Sequence, residues 1–323
     1  MGKPIVLSGM QPTGKLHLGN LEGALRNWVS LQNNYEMYLC IVDWHSLTSD
    51  FDHTEDLQER IFQMALDYLA SGLDPDKCAI FVQSQVKEHA ELFLLLSMIV
   101  PIPWLERVPS YKEKSVEFNL DSFGFLGYPL LQAADILLYK ANFVPVGKDQ
   151  LPHIELTREI ARRFNNLYGN VFSEPEGLLT KFAVVPGIDG RKMSKSYNND
   201  ISMADSPEET EKKVLKMITD PQKIYKGDKG RPEICPVYSL HQIYNPKYQE
   251  IHKECSSGEL GCVDCKKMLA SLINSNLAPI KSKRKELEKN PGRVRQVLEN
   301  GAKRARAKAG ETMQDVKQAM KLL

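Results

Sequence analysis

The sequence predicts an α/β protein whose first part folds as a doubly wound parallel sheet and whose second part is all-helical. Strand and helix patterns alternate between residues 5 and 165, and the strands are apolar almost throughout. Such strands are typical of a parallel sheet that is covered by helices on both faces. After about residue 200, apolar residues recur only at helical spacing. Because open sheets of this class bind ligands beyond the carboxyl ends of their strands, we expect a site at that edge.

The first part supplies four strands and the helices between them. Predicted strands cover residues 5–7, 38–42, 79–82 and 142–146, and predicted helices cover residues 19–31, 57–69, 90–98 and 152–165. A mostly helical stretch interrupts this alternation, which predicts a helical insertion at about residues 101–140. We therefore expect a Rossmann-like domain at residues 1–200 and a helical domain at residues 201–323, which ends in a basic helix.

Length and composition indicate a soluble protein of about two domains. The chain has 323 residues, of which 42% are hydrophobic and 26% are charged, as in ordinary globular proteins. No apolar run approaches the roughly 20 residues that span a bilayer. Residues 1–7 read as a first strand and lack the pattern of a signal peptide. These features favour a cytoplasmic location and no membrane partner.

The net charge of +1 conceals an asymmetry between the two parts of the chain. Residues 1–200 contain 18 Lys and Arg against 25 Asp and Glu, which gives −7. Residues 201–323 contain 24 against 16, which gives +8. The positive part is suited to a nucleic-acid surface, and the alternative is a set of solvated helices.

Residues 191–199, which read RKMSKSYNN, form the most informative segment of the chain. The segment follows a turn-forming run at residues 186–190 and contains Lys192, Ser194 and Lys195. A segment of this kind can close over a polyphosphate and place ammonium groups where a leaving pyrophosphate becomes more negative. We call it the lysine segment.

A glycine-containing turn lies about 170 residues upstream, at residues 11–20 (QPTGKLHLGN). Gly14 tightens the turn after the first strand, and Gly19 lets a nucleotide approach the backbone where the helix begins. His17 and Asn20 can donate hydrogen bonds toward phosphate oxygens. Such a turn before a helix is common in α/β proteins, so its meaning depends on the lysine segment.

Together these two segments resemble the signature motifs HIGH and KMSKS of the class I aminoacyl-tRNA synthetases. Asn20 stands where the first motif ends in histidine; it keeps the hydrogen-bonding capacity without the charge, and tryptophanyl enzymes often show this substitution. The resemblance implies that ATP binds between the segments. The implied catalytic residues are His17, Asn20, Lys192, Lys195 and Lys114. The residues implied to contact ATP are Asn20, Lys192 and Lys195 again, with Gln11, Thr13, Gly14, Gly19, Gly147, Asp149, Met193 and Ser194.

Lys114 belongs to a basic segment at residues 105–114 (LERVPSYKEK). This segment matches one in the tryptophanyl family, in which the lysine that aligns with Lys114 reaches the phosphates. The alternative is a solvated charged face. The sequence has no carboxylate cluster that predicts a protein-held metal cage, so Mg²⁺ is expected to accompany ATP.

Further motifs narrow the substrate that the resemblance implies. They lie at residues 41–48 (IVDWHSLT), 127–139 (GYPLLQAADILLY), 144–150 (VPVGKDQ) and 153–158 (HIELTR). They closely resemble the bacterial tryptophanyl-tRNA synthetases over almost the whole sheet-containing part. This resemblance implies that Asp135 binds the indole nitrogen of tryptophan and that Tyr128 and Gln150 hold its α-amino group. The other residues implied to line the pocket are Gly9, Val42, His45, Gln132, Val144 and Val146.

The chemistry of Asp135 agrees with this role. Gln132 and Asp135 lie three residues apart and so face one side of a helix. A carboxylate in an apolar pocket can accept an indole N–H, whereas phenylalanine would leave it unpaired at a cost of about 1–3 kcal/mol or more. Many bacterial tryptophanyl enzymes have Met where this chain has Gln132, and tyrosyl enzymes often have Gln. The alternatives are a tyrosyl enzyme and, for Asp135, a carboxylate on a helix surface.

Six cysteines fall into two groups. Cys40 and Cys78 lie in or beside predicted buried strands and are expected to be inert. The helical part contains a Cys-x-x-Cys pair and two further thiols, namely Cys235, Cys255, Cys262 and Cys265. This grouping favours a metal site over disulfides, and the spacing accommodates either Zn²⁺ or an iron–sulfur cluster. A subset of bacterial tryptophanyl enzymes has this arrangement with a [4Fe-4S] cluster near the anticodon-binding surface, so the resemblance ranks [4Fe-4S] first, Zn²⁺ second and unligated thiols third.

The resemblance as a whole implies a tryptophan–tRNA ligase of class I. Tryptophan would react with ATP to give an adenylate, and tRNA-Trp would then receive the aminoacyl group. The family works as a homodimer, with residues 101–140 as the implied interface and residues 201–323 as the anticodon-binding domain. The rivals are a tyrosyl enzyme, a small-molecule nucleotidyltransferase, and a non-catalytic RNA-binding or redox-sensing protein. The basic helical part argues against the second rival, and the presence of both signature motifs argues against the third.

Overall fold

The computed structural model describes residues 2–117, 120–179, 184–225 and 227–322, with the backbone alone for residues 114–117. Five parallel strands form one sheet in the order β3-β2-β1-β4-β5. The strands are β1 (Ile5–Met10), β2 (Glu36–Ile41), β3 (Cys78–Val82), β4 (Phe143–Val146) and β5 (Glu176–Leu179). The predicted doubly wound parallel sheet is therefore confirmed.

Helices cover both faces of the sheet and make up the rest of the chain. In the sheet-containing part they are α1 (Leu18–Asn20), α2 (Arg26–Leu31), α3 (Asp43–Leu47), α4 (Leu57–Ala70), α5 (Glu88–Ser97), α6 (Ile102–Glu106), α7 (Pro109–Glu117), α8 (Phe123–Leu138) and α9 (Leu151–Tyr168). In the second part they are α10 (Pro207–Lys216), α11 (Pro236–Tyr244), α12 (Tyr248–Ser257), α13 (Cys262–Glu288) and α14 (Pro291–Ala319). A π-helical segment, Leu21–Leu25, joins α1 to α2. The predicted helical insertion corresponds to α6, α7 and α8.

The strand order reverses at β1, which pairs with β2 on one side and β4 on the other. Successive connections therefore leave the sheet in opposite directions at this point and open a crevice at the carboxyl ends of β1 and β4. The chain reaches that crevice with the glycine turn, which directly follows β1. Strand β5 was missed by the sequence analysis, because its four residues include a glutamate and a glycine and show no apolar run.

The last helix, α14, packs against the edge strand β3. Gly301 lies on the backbone of Ile80, where an added Cβ would overlap the carbonyl oxygen. The next buried positions of this helix are also small, namely Ala302, Ala305 and Ala309. Small side chains let the helix approach closely, and the covered edge cannot pair with a strand of another chain.

The two parts of the chain share a hydrophobic core. One cluster of buried side chains runs from the sheet and α4 into α10, α11 and α13, and it includes Leu66, Ile80, Val214 and Leu277. The sheet-containing and helical parts are thus packed against each other through apolar contacts. Within the described ranges, no helix combines the length and the apolar character that crossing a membrane requires.

Replacing Gly301 by alanine is expected to destabilise the protein, because overpacking typically costs about 1–3 kcal/mol. Gly310 in the same helix is the matched control, since an added Cβ meets nothing within 4 Å there. The Gly310→Ala variant should gain about 0.5–1 kcal/mol from helix propensity. Urea unfolding followed by circular dichroism compares the two variants. A Gly301→Ala variant as stable as the parent chain would contradict the packing of α14 on β3.

Candidate active site

A cavity of about 780 Å³ opens at the carboxyl ends of β1 and β4. Its wall contains all nine residues that were predicted to bind the amino acid: Gly9, Val42, His45, Tyr128, Gln132, Asp135, Val144, Val146 and Gln150. Four residues predicted to bind ATP also line it: Gln11, Gly147, Asp149 and Lys192. One cavity therefore brings together residues from β1, β2, α3, α8 and β4 that are far apart in the sequence.

Asp135 is the most elaborately coordinated group in the cavity wall. Its Oδ2 lies 2.8 Å from Nε2 of His45. Its Oδ1 accepts a hydrogen bond of 2.8 Å from Nε2 of Gln83 and lies 2.7 Å from Nδ1 of His89. Burial opposes ionisation of this carboxyl, but the adjacent imidazoles of His89 and His45 outweigh it and lower the pKa of Asp135 to about 2. The group is therefore a carboxylate at neutral pH.

The hydrogen bonds of Asp135 leave it one acceptor position. A carboxylate offers about four lone-pair sites, two on each oxygen. His89 and Gln83 occupy both sites of Oδ1, and His45 occupies one site of Oδ2. Among the described side chains nothing else bonds to Oδ2, so one acceptor site is left on this oxygen of a residue that lines the cavity. A single N–H or O–H donor of a ligand fits there.

His89 is held in turn by Tyr139, the residue that directly follows α8. The Nε2 atom of His89 is 2.8 Å from the hydroxyl of Tyr139. Both residues are completely buried. Because Nδ1 must carry a proton to bond the Asp135 carboxylate, a neutral His89 has Nε2 as an acceptor for the tyrosine O–H. The chain Tyr139–His89–Asp135 fixes the orientation of the carboxylate from behind.

The opposite wall of the cavity presents hydroxyl and amide groups. The hydroxyl of Ser110 lies 2.6 Å from that of Tyr128 and 2.7 Å from Nε2 of His153. Nearby, Nε2 of Gln150 donates to Oδ2 of Asp149 over 3.3 Å. These groups offer hydrogen-bond donors and acceptors to a polar ligand in the same cavity as Asp135.

The glycine turn places His17 at the start of α1. Nδ1 of His17 accepts the backbone N–H of Asn20 over 3.3 Å, and Oδ1 of Asn20 accepts the backbone N–H of His17 over 3.1 Å. This reciprocal capping box fixes the tautomer of a neutral imidazole with its proton on Nε2. Burial lowers the pKa of His17 to about 4, with a smaller lowering effect from Lys195 and an opposing effect from Asp200. His17 is therefore a neutral donor at physiological pH.

The lysine segment lies directly on the glycine turn. The Nζ atom of Lys195 donates to the carbonyl oxygen of Thr13 and lies beside Gly14. Met193 is buried, with its side chain close to Gly19. Burial lowers the pKa of Lys195, and Asp200 opposes this shift. Two segments almost 180 residues apart are thus in contact, as their resemblance to a shared nucleotide site implies.

Asn199 shapes the lysine segment from inside. Its Oδ1 accepts the N–H of Ser194 over 2.7 Å, and its Nδ2 donates to Oδ1 of Asp189 over 2.7 Å and to the carbonyl oxygen of Lys192 over 3.1 Å. The hydrogen bond from Asn199 is the main cause that lowers the pKa of Asp189. Gly187 has no room for a side chain, because an added Cβ would lie 2.5 Å from the amide of Asn199. The lysine segment is therefore a loop whose conformation is held by the hydrogen bonds of Asn199.

Several residues of the site were missed by the sequence analysis. His89, Gln83 and Tyr139 surround Asp135 from other elements, and Ser110 and Glu113 of α7 line the cavity. Ser110, Glu113 and Tyr139 lie within quoted motifs but received no role there, and His89 and Gln83 lie outside every motif, because these roles depend on tertiary contacts. The side chain of Lys114, predicted to reach the phosphates, lies outside the described part of the structure.

The four cysteines of the helical part line one small apolar cavity, together with Val237, Ile251 and Leu260. Cys235 precedes α11, Cys255 belongs to α12, and Cys262 and Cys265 lie in the first turn of α13. Burial, with smaller effects from the three other cysteines, raises the pKa of Cys265 to about 12. No three of these described sulfur atoms lie within 4.8 Å of one another. The four thiols thus share one cavity wall, and their sulfur atoms are not gathered as closely as the ligands of one ion.

Comparison with known proteins identifies the family. The family model described as tRNA synthetases class I (W and Y) matches residues 1–278. The chain belongs to this family. It is 50% identical over 325 residues to the tryptophan–tRNA ligase of Thermotoga maritima, with 98% of this chain and 99% of the relative covered. It is 44% identical to the tryptophan–tRNA ligase of Aquifex aeolicus, with coverages of 98% and 99%.

A solved structure agrees with this assignment. The crystal structure of tryptophanyl-tRNA synthetase from Campylobacter jejuni, complexed with ADP and tryptophan, matches with a TM-score of 0.87 and 36% sequence identity. The match covers 98% of this chain and 99% of that one. The arrangement of sheet, glycine turn and helical second part in this chain is therefore the class I synthetase fold.

The neutral state of His17 has a consequence for stability. Its pKa falls from 6.5 to about 4 on folding. Between these values the unfolded chain binds more protons, so the contribution of neutral His17 is complete above pH 6.5 and is lost as the pH falls to 4. The His17→Asn variant keeps an acceptor for the helix N-terminus. Its free energy of unfolding, measured with urea, should decline less over this pH range than that of the parent chain, and equal declines would contradict the burial of a neutral imidazole.

Proposed function

We propose that the chain is a tryptophan–tRNA ligase that activates L-tryptophan with ATP and transfers it to tRNA-Trp. The observation that carries the proposal is the cavity itself, whose wall contains a carboxylate with one remaining acceptor site together with Gln11 of the glycine turn and Lys192 of the lysine segment. Full-length relatives named tryptophan–tRNA ligase support the same substrate. We place the reaction in the cytoplasm, where tRNA is charged.

The first step forms tryptophanyl-adenylate. A carboxylate oxygen of tryptophan bonds to the α-phosphorus of ATP, and the bond to the β-phosphate bridging oxygen breaks to release diphosphate. His17 donates its Nε2–H to a phosphate oxygen, and Lys192 and Lys195 stabilise the charge that develops on the leaving group. Tyr128 and Gln150 orient the α-amino group, with Asp149 beside the adenylate. Catalysis is therefore positioning and charge stabilisation, without a covalent enzyme intermediate.

The second step transfers the aminoacyl group. A hydroxyl of the terminal ribose of tRNA-Trp, the 2′-hydroxyl by family expectation, attacks the acyl carbon of the adenylate. The acyl–oxygen bond to AMP breaks, the hydroxyl proton leaves with the displaced phosphate, and the products are aminoacyl-tRNA and AMP.

Mg²⁺ enters with the nucleotide. Within the described ranges, the one group of side chains close enough to hold an ion is Asp50, Asp52 and His53, and none of these lines the cavity. Mg²⁺ is commonly bound by substrate phosphates and few protein ligands. This arrangement fits a site in which lysines rather than carboxylates meet the phosphates.

Selection of tryptophan rests on shape as well as on Asp135. The remaining acceptor site on Oδ2 takes an indole N–H, but it would also take the O–H of tyrosine. Phenylalanine has no donor and leaves the carboxylate unpaired, at a cost of about 1–3 kcal/mol. The carboxylate thus rejects phenylalanine, and discrimination against the smaller tyrosine must come from apolar contacts that only the larger indole makes. Gln132, which stands in the wall beside Asp135, is the residue on which the tyrosyl alternative depends.

The four cysteines form the proposed ligand set of a [4Fe-4S] cluster. The four thiols line one apolar cavity with no carboxylate among its walls. Four thiolates suit either an iron–sulfur cluster or zinc, and the resemblance to cysteine-containing tryptophanyl enzymes ranks the cluster first. When bound, such a cluster would supply four metal–thiolate bonds, which would tie together the start of α11, the end of α12 and the start of α13.

The remaining partners are the tRNA and a second copy of the chain. The charge of +8 on residues 201–323 supports tRNA binding by the helical domain. The boundary of this domain near residue 200 is the one that the sequence predicts. Large apolar side chains on α5, α6 and α8 are exposed, and they support a homodimer across the helical insertion: Leu94, Met98, Ile102 and Phe123.

Pyrophosphate exchange into ATP tests the substrate. Exchange should depend on tryptophan, with kcat/KM for tyrosine far lower. The Asp135→Asn variant should lose roughly 5- to 150-fold in kcat/KM for tryptophan, because it removes a charged acceptor worth about 1–3 kcal/mol, while KM for ATP is unchanged. A preference for tyrosine would overturn the tryptophan assignment, and a correctly folded protein that forms no adenylate would overturn the ligase.

Anaerobic purification tests the cluster. We expect about four irons per chain and broad absorbance at about 400 nm. The Cys262→Ser variant should lose both, whereas the control Cys78→Ser, in the sheet, should keep them. Stoichiometric zinc without iron would assign the alternative metal. The absence of both metals would mean that the thiols are unligated.

A further inference from the structure

The loop between α10 and α11 presents two large apolar side chains to solvent. Ile224 and Tyr225 are each 74% exposed, which is more than any other large hydrophobic residue among those described. The surrounding sequence, residues 223–231 (KIYKGDKGR), contains four Lys and Arg and one Asp. We call it the Tyr225 loop. An exposed aromatic ring next to several cations is the combination that sites for single-stranded nucleic acids use.

The described residues of the Tyr225 loop, 223–225 and 227–231, are held by hydrogen bonds among their own polar groups. Oδ2 of Asp228 accepts the backbone N–H of Ile224 over 3.0 Å and that of Tyr225 over 2.7 Å. The buried Lys223 donates from Nζ to the carbonyl oxygen of Asp228 over 2.6 Å. The backbone that carries the exposed ring is therefore ordered before any partner binds, which reduces the entropy lost on binding.

The loop is also tied to the cysteine cavity. The N–H of Gly230 donates to the carbonyl oxygen of Cys255 over 2.9 Å, and Nζ of Lys223 lies 3.3 Å from the same oxygen. An added Cβ on Gly230 would lie 2.6 Å from the sulfur atom of Cys255. A side chain is therefore excluded at Gly230, and the loop lies directly on the wall formed by the thiols. The loop that carries the exposed ring is therefore connected to the cysteine cavity through Gly230 and Lys223.

We propose that the Tyr225 loop binds an unpaired nucleotide of the tRNA, with the ring of Tyr225 stacked on its base and Lys229 near its phosphate. The inference rests on the proposed function, which supplies the RNA. Stacking of exposed bases on aromatic side chains, next to cations that meet the backbone, is the common mode of single-stranded RNA recognition. Bases within a duplex are already stacked, so the partner is a nucleotide in a loop or at an end.

A protein partner fits this surface less well. The cores of protein–protein interfaces are depleted in lysine, whereas the Tyr225 loop contains three lysines and one arginine. The charge of the whole helical domain has the same sign as the loop, which attracts an anionic partner over a longer range. Both observations favour RNA.

The test compares three variants in tRNA binding and aminoacylation. The Tyr225→Ala variant should raise the Kd and the KM for tRNA-Trp roughly 5- to 150-fold, as loss of one stacked base does elsewhere. The Tyr225→Phe variant keeps the ring and should bind within about twofold of the parent chain. The Ile224→Ala variant is the matched control, because the side chain is equally exposed but not aromatic. A loss at Ile224 as large as that at Tyr225 would indicate apolar docking and overturn the stacking role.

Two further measurements separate the possible failures. Tryptophan-dependent pyrophosphate exchange needs no tRNA, so its absence in the parent chain would refute the proposed function rather than the loop. Normal exchange together with unchanged tRNA binding in Tyr225→Ala would refute the loop alone. The Lys229→Gln variant should reduce the slope of log K against log salt by about one unit if the lysine meets a phosphate, and an unchanged slope would remove that contact.

Discussion

One buried carboxylate, that of Asp67 in α4, links the helical part of the chain to the glycine turn. Its Oδ2 accepts the backbone N–H of Leu16 over 2.8 Å, directly before His17. Its Oδ1 pairs with the guanidinium of Arg284 in α13, and both side chains are almost completely buried. Burial raises the pKa of Asp67, and Arg284 and the N–H of Leu16 oppose it. Removing either partner would leave a buried charge uncompensated, which typically costs about 3–5 kcal/mol.

Through these contacts the helical part of the chain supports the glycine turn. Arg284 also reaches the backbone carbonyl and side chain of Gln63, so α13 is fixed to α4 at several points. On the other side of the turn, Leu16 accepts the N–H of Met203, which follows the lysine segment. The glycine turn is thus held between α4 and the start of the helical part. Because the same helix α13 begins with Cys262 and Cys265, one helix runs from the cysteine cavity to Arg284 and, through Asp67, to the glycine turn.

The sequence predicted what depends on local pattern and motif, and missed what depends on tertiary contact. Apolar strands and helical spacing were sufficient for the sheet, and the motifs were sufficient for the cavity wall, because each carries its chemistry within a short segment. His89 lies in an ordinary amphipathic helix, and its value appears only when α5 packs on α8. Arg284 is one of many charges on α13, and its burial against Asp67 depends on a pairing over more than 200 residues. Such partners have no local signature, since burial is a property of the assembled core.

The contact between Lys195 and the glycine turn explains how the lysine segment can act late in the reaction. In the structure Nζ of Lys195 bonds to the neutral carbonyl oxygen of Thr13. A triphosphate in the site that we propose would offer charged oxygens in place of this neutral carbonyl, and the ammonium group would gain Coulomb attraction to them. The exchange of Thr13 for phosphate becomes more favourable as negative charge accumulates on the leaving diphosphate. An interaction that strengthens along the reaction in this way lowers the barrier rather than only the binding energy of ATP.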